Sequence, residues 1–263
     1  MTWKLDSRYV GYPAIEPFIP TLALSGLPST TSGYPNFPSG LIVPAEDPVW
    51  GAGEFIFAKA AGTIRLRALV SFLPVWNATN RNFDWNAIEA ANTTLSGRMV
   101  GVAMSEQGSV GAVNALTVGQ WGWFMVTGLV PINGTATVAA DTAFAVAAAG
   151  QIGANAISKQ VLNARIVTPA TQTVTATAID GVSGGSTIRL SNVDGFFVGC
   201  YLSGTGVGAA AICQAVDQNA KTITASVVNA ATVTGTVTGT YNNATIFYNV
   251  AQLNRPIIQG PIT

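Results

Sequence analysis

Residues 119–128 read GQWGWFMVTG. Trp121, Trp123 and Met125 fall on one side of a two-residue alternation, and Gly122, Phe124 and Val126 on the other. A period of two marks a β-strand, whose successive side chains point to opposite faces. The first set is expected to fill the core of a β domain. The second set is expected to meet a second sheet, an arm of the same chain or a neighbouring protomer. Gly122 leaves room for another backbone to approach.

Working outward, charged residues make up 9% of the 263-residue chain, against about 25% in ordinary soluble domains. Lys and Arg number 12, as do Asp and Glu, so the net charge is zero. Such a chain stays soluble only if Ser, Thr, Asn and Gly cover its surface, or if copies of itself do. Neutrality argues against nucleic acid, which needs a basic patch to displace counterions. The densest basic pair, Arg65 and Arg67, is read as one exposed face of a strand. The length suits one large β domain or two smaller ones.

Residues 1–50 hold eight of the 13 prolines. Proline withholds a backbone donor and is excluded from helix interiors, so this segment is read as an extended arm without a lasting sheet of its own. It is nonetheless rich in large side chains, among them Trp3, Tyr9, Tyr12, Phe18, Tyr34, Phe37 and Trp50. Disordered tails lack these. An apolar arm of this kind lies along a surface, either that of its own domain or that of a neighbouring subunit. Its opening, MTWKLDSRYV, has no apolar core of a signal peptide. No uninterrupted apolar run of about 18 residues predicts a membrane helix. Cys200 and Cys213 are therefore expected to be a free, half-buried pair rather than a disulfide.

Residues 51–168 read mostly as short strands. EFIFAKA and TIRLRALVSFL alternate, with Ile64, Leu66 and Ala68 opposite Arg65 and Arg67. RNFDWNAIEAANTTL is the best helix candidate, with Asp84 at its start and Gly97 at its end. RMVGVAMSE and QWGWFMVTGLV read as strands, and Pro131 and the following Asn-Gly as turns. AFAVAAAG has helical propensity, but its place between turn signals favours a strand. At Pro169 the texture becomes dense in Thr, Val, Gly, Ala and Ser. QTVTATA, STIRLS, GCYLSG, AAICQAV, KTITASVV and VTGTVTGT are strand-like pieces of a small all-β module spanning 169–241. Beyond it, QLNRPII (252–258) shares a Leu-Asn…Arg…Ile pattern with VLNARIV (161–167). The module is thus read as an insertion into a main domain formed by 51–168 and 242–263. The expected fold is all-β, a sandwich or barrel-like domain with an N-terminal arm and this inserted module.

Chemistry is scarce. The chain has no histidine, which removes Ser-His-Asp and Cys-His arrangements and the commonest nitrogen ligand. Ser158 and Lys159 are adjacent in a strand and so face opposite ways. Two cysteines without histidine cannot close a zinc site. The acids are scattered singly, which disfavours calcium. Glu46-Asp47, the one adjacent acidic pair, reads as a solvated turn before Pro48. GTGVG at 204–208 lacks the following helix of a phosphate loop and reads as a hairpin turn. Asp84 and Glu89 are poorly spaced for paired-carboxylate catalysis. The Asn-x-Thr sequons at Asn77, Asn92, Asn133 and Asn243 are expected by chance. No catalytic residue, cofactor or metal site is expected.

The stretch GRMVGVAMSEQGSVGAVNALTVGQWGWFMVTG, then AADTAFAV and the closing QLNRPIIQGPIT, resembles capsid decoration (cement) proteins and head-fibre bases of tailed phages. The module stretch GSTIRLSNVDGFFVGCYLSGTGVGAAAICQAVDQNAKTITAS is similar to β modules of phage fibre and surface proteins. The resemblance covers residues 97–263. It implies a virion protein made in the host cytoplasm and carried on the capsid exterior. It further implies a homotrimer that locks neighbouring copies of the major capsid protein. The candidate interface then comprises Trp3, Tyr9, Tyr12, Phe18, Tyr34, Phe37, Trp50, Phe124 and Arg255, with neither nucleic acid nor membrane as partner. The competing expectation is a fibre or tail protein that binds host glycans, with Phe196 and Phe197 as an aromatic platform on the module.

Overall fold

A computed structural model describes residues 4–5, 39–47, 49–79, 81–92, 97–104, 114–243 and 245–259. They form strands and no helix. A large mixed sheet and a six-stranded antiparallel sheet account for most of them. The all-β class expected from the sequence is the class adopted.

The first strands are β1 (Lys4–Leu5), β2 (Ile42–Asp47), β3 (Gly51–Ala60) and β4 (Ile64–Arg65). Next come β5 (Leu69–Asn77), β6 (Asn82–Glu89), β7 (Val100–Ala103), β8 (Asn114–Leu116) and β9 (Trp121–Gly134). β2 pairs with β1 and, from Ile42↔Ile56 to Asp47↔Gly51, with β3. The end of the proline-rich segment is therefore a sheet strand. Asp47 is not a solvated turn residue. It is buried, and its Oδ1 accepts from the N–H groups of Val49 and Trp50 at 2.8 and 2.9 Å.

Five of these strands close on themselves. β3 pairs antiparallel with β9, from Glu54↔Thr127 to Lys59↔Trp121. It pairs parallel with β6 at Lys59↔Asn86 and Ala60↔Ala87. β6 pairs with β5, β5 with β7 through Leu69↔Val102, and β7 with β9 through Val102↔Met125. Inside this ring lie Ile56, Ala58, Val70, Phe72, Ala87, Ala103, Phe124 and Val126. The Phe72 and Phe124 rings meet edge to face at 5.6 Å. Phe55, Phe57, Trp123 and Met125 point outward into a separate core. There Phe57 packs on Trp123 at 4.9 Å and stacks on Trp121 at 5.3 Å. Both faces of the opening stretch are thus buried within one chain. Phe124 is the inner wall of a small barrel and presents nothing to a neighbouring protomer.

β9 continues past this ring into another. The hand-over falls at Gly128, where φ is +117°. A Cβ there would collide with the Met125 side chain and lie 2.8 Å from the Ala52 carbonyl oxygen. Beyond it are β10 (Phe144–Ala148), β11 (Gln151–Ala154) and β12 (Val161–Thr168), with the last strand, β19 (Phe247–Ile258), numbered after the module. β9 pairs with β19 from Asn254↔Thr127 to Phe247↔Gly134, and β19 with β12. β12 meets β10 at Ala145↔Gln160, β10 pairs with β11, and β11 returns to β9 at Ile152↔Gly134. The two segments sharing the Leu-Asn…Arg pattern are direct partners, with Leu162 opposite Ile257. Pro131 and the Asn-Gly after Ile132 are not turns but the end of β9. Asn133 donates its N–H to Arg67, away from β19, at 2.9 Å. Residues two apart present their backbone to the same side, so the donor that Pro131 lacks is missing from that side and the β19 ladder is intact.

The module contributes β13 (Thr173–Asp180), β14 (Thr187–Leu190), β15 (Tyr201–Thr205), β16 (Cys213–Asp217), β17 (Thr222–Ala225) and β18 (Thr234–Thr240). Their order is β15-β18-β13-β14-β17-β16, and a bridge at Tyr201↔Ile212 joins the two ends. This is a third closed ring. Phe197 joins it to the main sheet, lying edge-on to Tyr248 of β19 at 5.3 Å and to Trp50 at 6.3 Å. Fully buried Asn249 secures the exit of the chain toward β13. Its Oδ1 accepts from the Val138 and Ala170 N–H groups at 2.9 and 3.0 Å, and its Nδ2 donates to the Ala136 carbonyl at 3.0 Å. Neither cysteine is in a disulfide, and both are fully rather than half buried.

Two further expectations fail. Residues 82–89 form β6, not a helix. Their apolar residues lack a 3.6-residue stripe, and β5 pairs with them in register along the whole length. TIRLRALVSFL is not one strand. It breaks at Leu66 and Arg67, where Arg67 has a φ of 58°. The turn carries Arg67 into the interior, fully buried, with Nη1 2.9 Å from Met104 Sδ. Only Arg65 of that pair reaches the surface. It binds Glu89 through Nε at 2.9 Å and Nη2 at 2.8 Å, and this hydrogen bond raises the Arg65 pKa.

Candidate interaction surface

The root and the tip of the β5–β6 hairpin differ. At the root Phe72 is 2% exposed. The β5–β7 ladder runs from Leu69 and ends at Ser71, and β6 pairs with β3 only at Asn86 and Ala87. Between Leu73 and Asp84 the two strands pair only with each other among the described residues. They leave the barrel as a two-stranded ribbon.

Register assigns the ribbon's faces. Trp76 lies opposite Phe83 and Pro74 opposite Trp85. These share one face, since directly paired residues point the same way. Leu73, Val75 and Ile88 lie on the other face with Asn77, Asn82, Asp84 and Asn86. Trp76 is 54% exposed and Phe83 58%, with their rings edge to face at 5.3 Å. Leu73, Val75 and Ile88 are also exposed. Asn77 Nδ2 donates to Asp84 Oδ2 at 2.8 Å on the second face, so the polar groups and the aromatic pair are on opposite sides. At the base of the ribbon the Trp85 N–H donates to Ser39 Oγ at 2.6 Å, which fixes where the described chain meets β6.

The ribbon was missed in the sequence. The signal is the near-mirror order Val-Trp-Asn (75–77) and Asn-Phe-Asp (82–84) about the intervening sequence Ala-Thr-Asn-Arg. Pro74 and the helical propensity of Asn-Ala-Ile-Glu-Ala obscured it.

The expected interface residues separate. Trp3, Tyr9, Tyr12, Phe18, Tyr34 and Phe37 lie outside the described residues. Trp50 is buried against Phe197. Arg255 is exposed on β19 with a φ of 47°. It binds Glu54 through Nη2 at 2.9 Å and Nε at 3.0 Å, while Thr127 Oγ1 donates to the same carboxylate at 2.7 Å. The Arg255 hydrogen bond holds the Glu54 carboxyl below its ordinary pKa. This row across β3, β9 and β19 ties the chain to itself. Phe196 and Phe197 are buried, so neither forms a platform on the module surface. Tyr241 is buried too and donates to the Gly195 carbonyl at 2.8 Å.

No group of three His, Cys, Asp or Glu side chains that could hold a metal occurs among the described residues. No family model matches the chain, and neither curated proteins nor solved structures yield a match.

Proposed function

We propose that the chain is a virion structural protein that decorates and stabilises a phage capsid from outside, binding the major capsid protein as a homotrimer. The observation that carries this reading is the β5–β6 ribbon. An isolated two-stranded ribbon is marginal in water, and large apolar groups exposed together mark protein contact sites. Trp is among the side chains that dominate such contacts. Elsewhere among the described residues the main sheet is built as scaffold, with β3, β9, β12 and β19 closed into rings. The alternative of glycan recognition is weaker. Sugar platforms need polar groups beside the aromatic ring, and here Asn77 and Asp84 face away from Trp76.

The test is addition of purified chain to capsids assembled without it, followed by sedimentation and a melting scan. Saturable binding at a fixed ratio, with a higher capsid melting temperature, is expected. Absence of shell binding, together with retention on host-cell glycans, would sink the proposal in favour of the fibre reading. Light scattering checks the trimer, and a monomer at micromolar concentration contradicts it.

A further inference from the structure

We propose that Cys200 and Cys213 are a redox-responsive staple for the module barrel, oxidising to a disulfide across its closing seam. The seam is the thinnest junction of that ring. It carries one bridge, Tyr201↔Ile212, whereas β13–β18 and β14–β17 carry longer ladders. The bridge is flanked by Leu202 N–H donating to the Ala211 carbonyl at 2.9 Å and Cys213 N–H donating to the Cys200 carbonyl at 2.8 Å. The cysteines are therefore the next partners along the seam. Gly199 N–H also donates to the Cys213 carbonyl at 2.8 Å, so Cys213 faces both Gly199 and Cys200 and the seam is bulged there.

Opposed residues of an antiparallel pair have Cα atoms about 4.5–5.5 Å apart, inside the roughly 4.4–6.8 Å that disulfides span. Both cysteine side chains are fully buried in one core cluster. Tyr201 and Ile212, at the bridge between them, are partly exposed. The alternation thus puts both sulfurs on the inner face of the barrel, on the same side of the seam. Neither is in a disulfide.

The oxidant is a small-molecule disulfide such as oxidised glutathione. One cysteine loses its proton, and its thiolate attacks a glutathione sulfur, breaking that S–S bond and releasing one glutathione as thiolate. The second cysteine loses its proton, and its thiolate attacks the protein sulfur of the mixed disulfide and releases the other glutathione. The two protons go to the released thiolates. The protein loses two electrons and two protons, and one disulfide becomes two thiols. Because the thiols are buried, exchange proceeds through local opening of the seam. Once formed, the bond restricts the open state and holds the ring closed.

The experiment incubates the reduced full chain with oxidised glutathione under native conditions and follows intact mass, peptide linkage and melting. A loss of two hydrogens, a Cys200–Cys213 linked peptide and a raised melting temperature are expected, all reversed by dithiothreitol. C200S and C213S should each stop at a single glutathione adduct without the rise. C200A and C213A, which keep a small apolar group in the core, replace any Ser variant that does not fold. Two thiols that stay reduced in the native chain, a wild-type adduct that never closes, or closure only after denaturation would each overturn the inference.

Discussion

In β9, Trp123 and Phe124 point to opposite faces, and both are buried. In the β5–β6 ribbon, Val75 and Trp76 also point to opposite faces, and both are exposed. The local sequences are alike in kind: large apolar residues at consecutive positions of a strand. The difference lies in what the topology brings alongside. β9 has β3 on one edge, β7 and then β19 on the other, a barrel lumen on one face and a second core on the other. Among the described residues the ribbon pairs only with its own two strands. Alternation states how many faces a strand has to cover; pairing at long range decides whether the chain covers them.

The largest expected effect is at the buried member of the comparison. Phe124→Ala removes a ring from the barrel lumen, where Phe72, Ile56 and Val126 have little freedom to collapse into the gap. A loss of about 3–5 kcal/mol is expected, measured as a lowered urea midpoint with an unchanged slope. A loss below about 1 kcal/mol would mean that the lumen is not a packed core. Gly128→Ala probes the hand-over between the two rings that share β9. The left-handed backbone and the nearby Ala52 carbonyl leave no room for a Cβ. The expected loss is about 2–3 kcal/mol, and a variant as stable as the parent would show that the two rings do not turn about this residue.

A smaller effect, silent at neutral pH, comes from the tyrosines flanking Phe197. Burial raises the pKa of Tyr241 and Tyr248 above the ordinary 10.0. For an acid whose folded pKa is raised, the folded state holds its proton longer than the unfolded state does. Stability is therefore fully present below about pH 10 and falls as pH rises through the folded values. Tryptophan fluorescence should report cooperative unfolding in that alkaline window. Tyr248→Phe, which has no proton to lose, should move the transition upward. No shift in that variant would place the alkaline weakness elsewhere.

The strand character of β9 was legible because period two is local. So were the pieces that became β13–β18, since each is short and turn signals such as Asp180-Gly181 and Asp217-Gln218-Asn219-Ala220 separate them. The lumen was not legible. Phe124 reads equally well as facing a second sheet, an arm or another subunit, because ring closure depends on the parallel pairing of Ala60 with Ala87, which leaves no periodic mark. Arg67 was misread for a related reason. Its charge and its alternation with Ile64 and Leu66 imply a wet face, but a left-handed turn at that residue redirects it inward. The helix expected at 81–95 rested on Asp84 as a cap or first-turn acid, whereas Asp84 pairs with Asn77 across the ribbon. In each case local propensity was overruled by a partner distant in sequence.

The smallest stability effect is expected where the exposed aromatic surface is greatest. Replacing both Trp76 and Phe83 by Ala removes a cross-strand aromatic pair that is open to water. Such pairs contribute about 0.2–1 kcal/mol, so the double variant should melt within a few degrees of the parent. On the proposed decoration role, the same variant should bind capsids at least about 30-fold more weakly, as hot-spot residues worth about 2 kcal/mol imply. Lys221→Ala, exposed on the module rather than on the main sheet, should leave binding unchanged. The two readouts separate the explanations. A stability loss as large as that of Phe124→Ala would mean that the ribbon is covered within the chain, and the comparison with β9 would collapse. Unchanged stability with unchanged capsid binding would leave the comparison standing and remove the ribbon from the docking surface. Only weakened binding by a stable variant joins the exposed faces of the ribbon to a capsid partner.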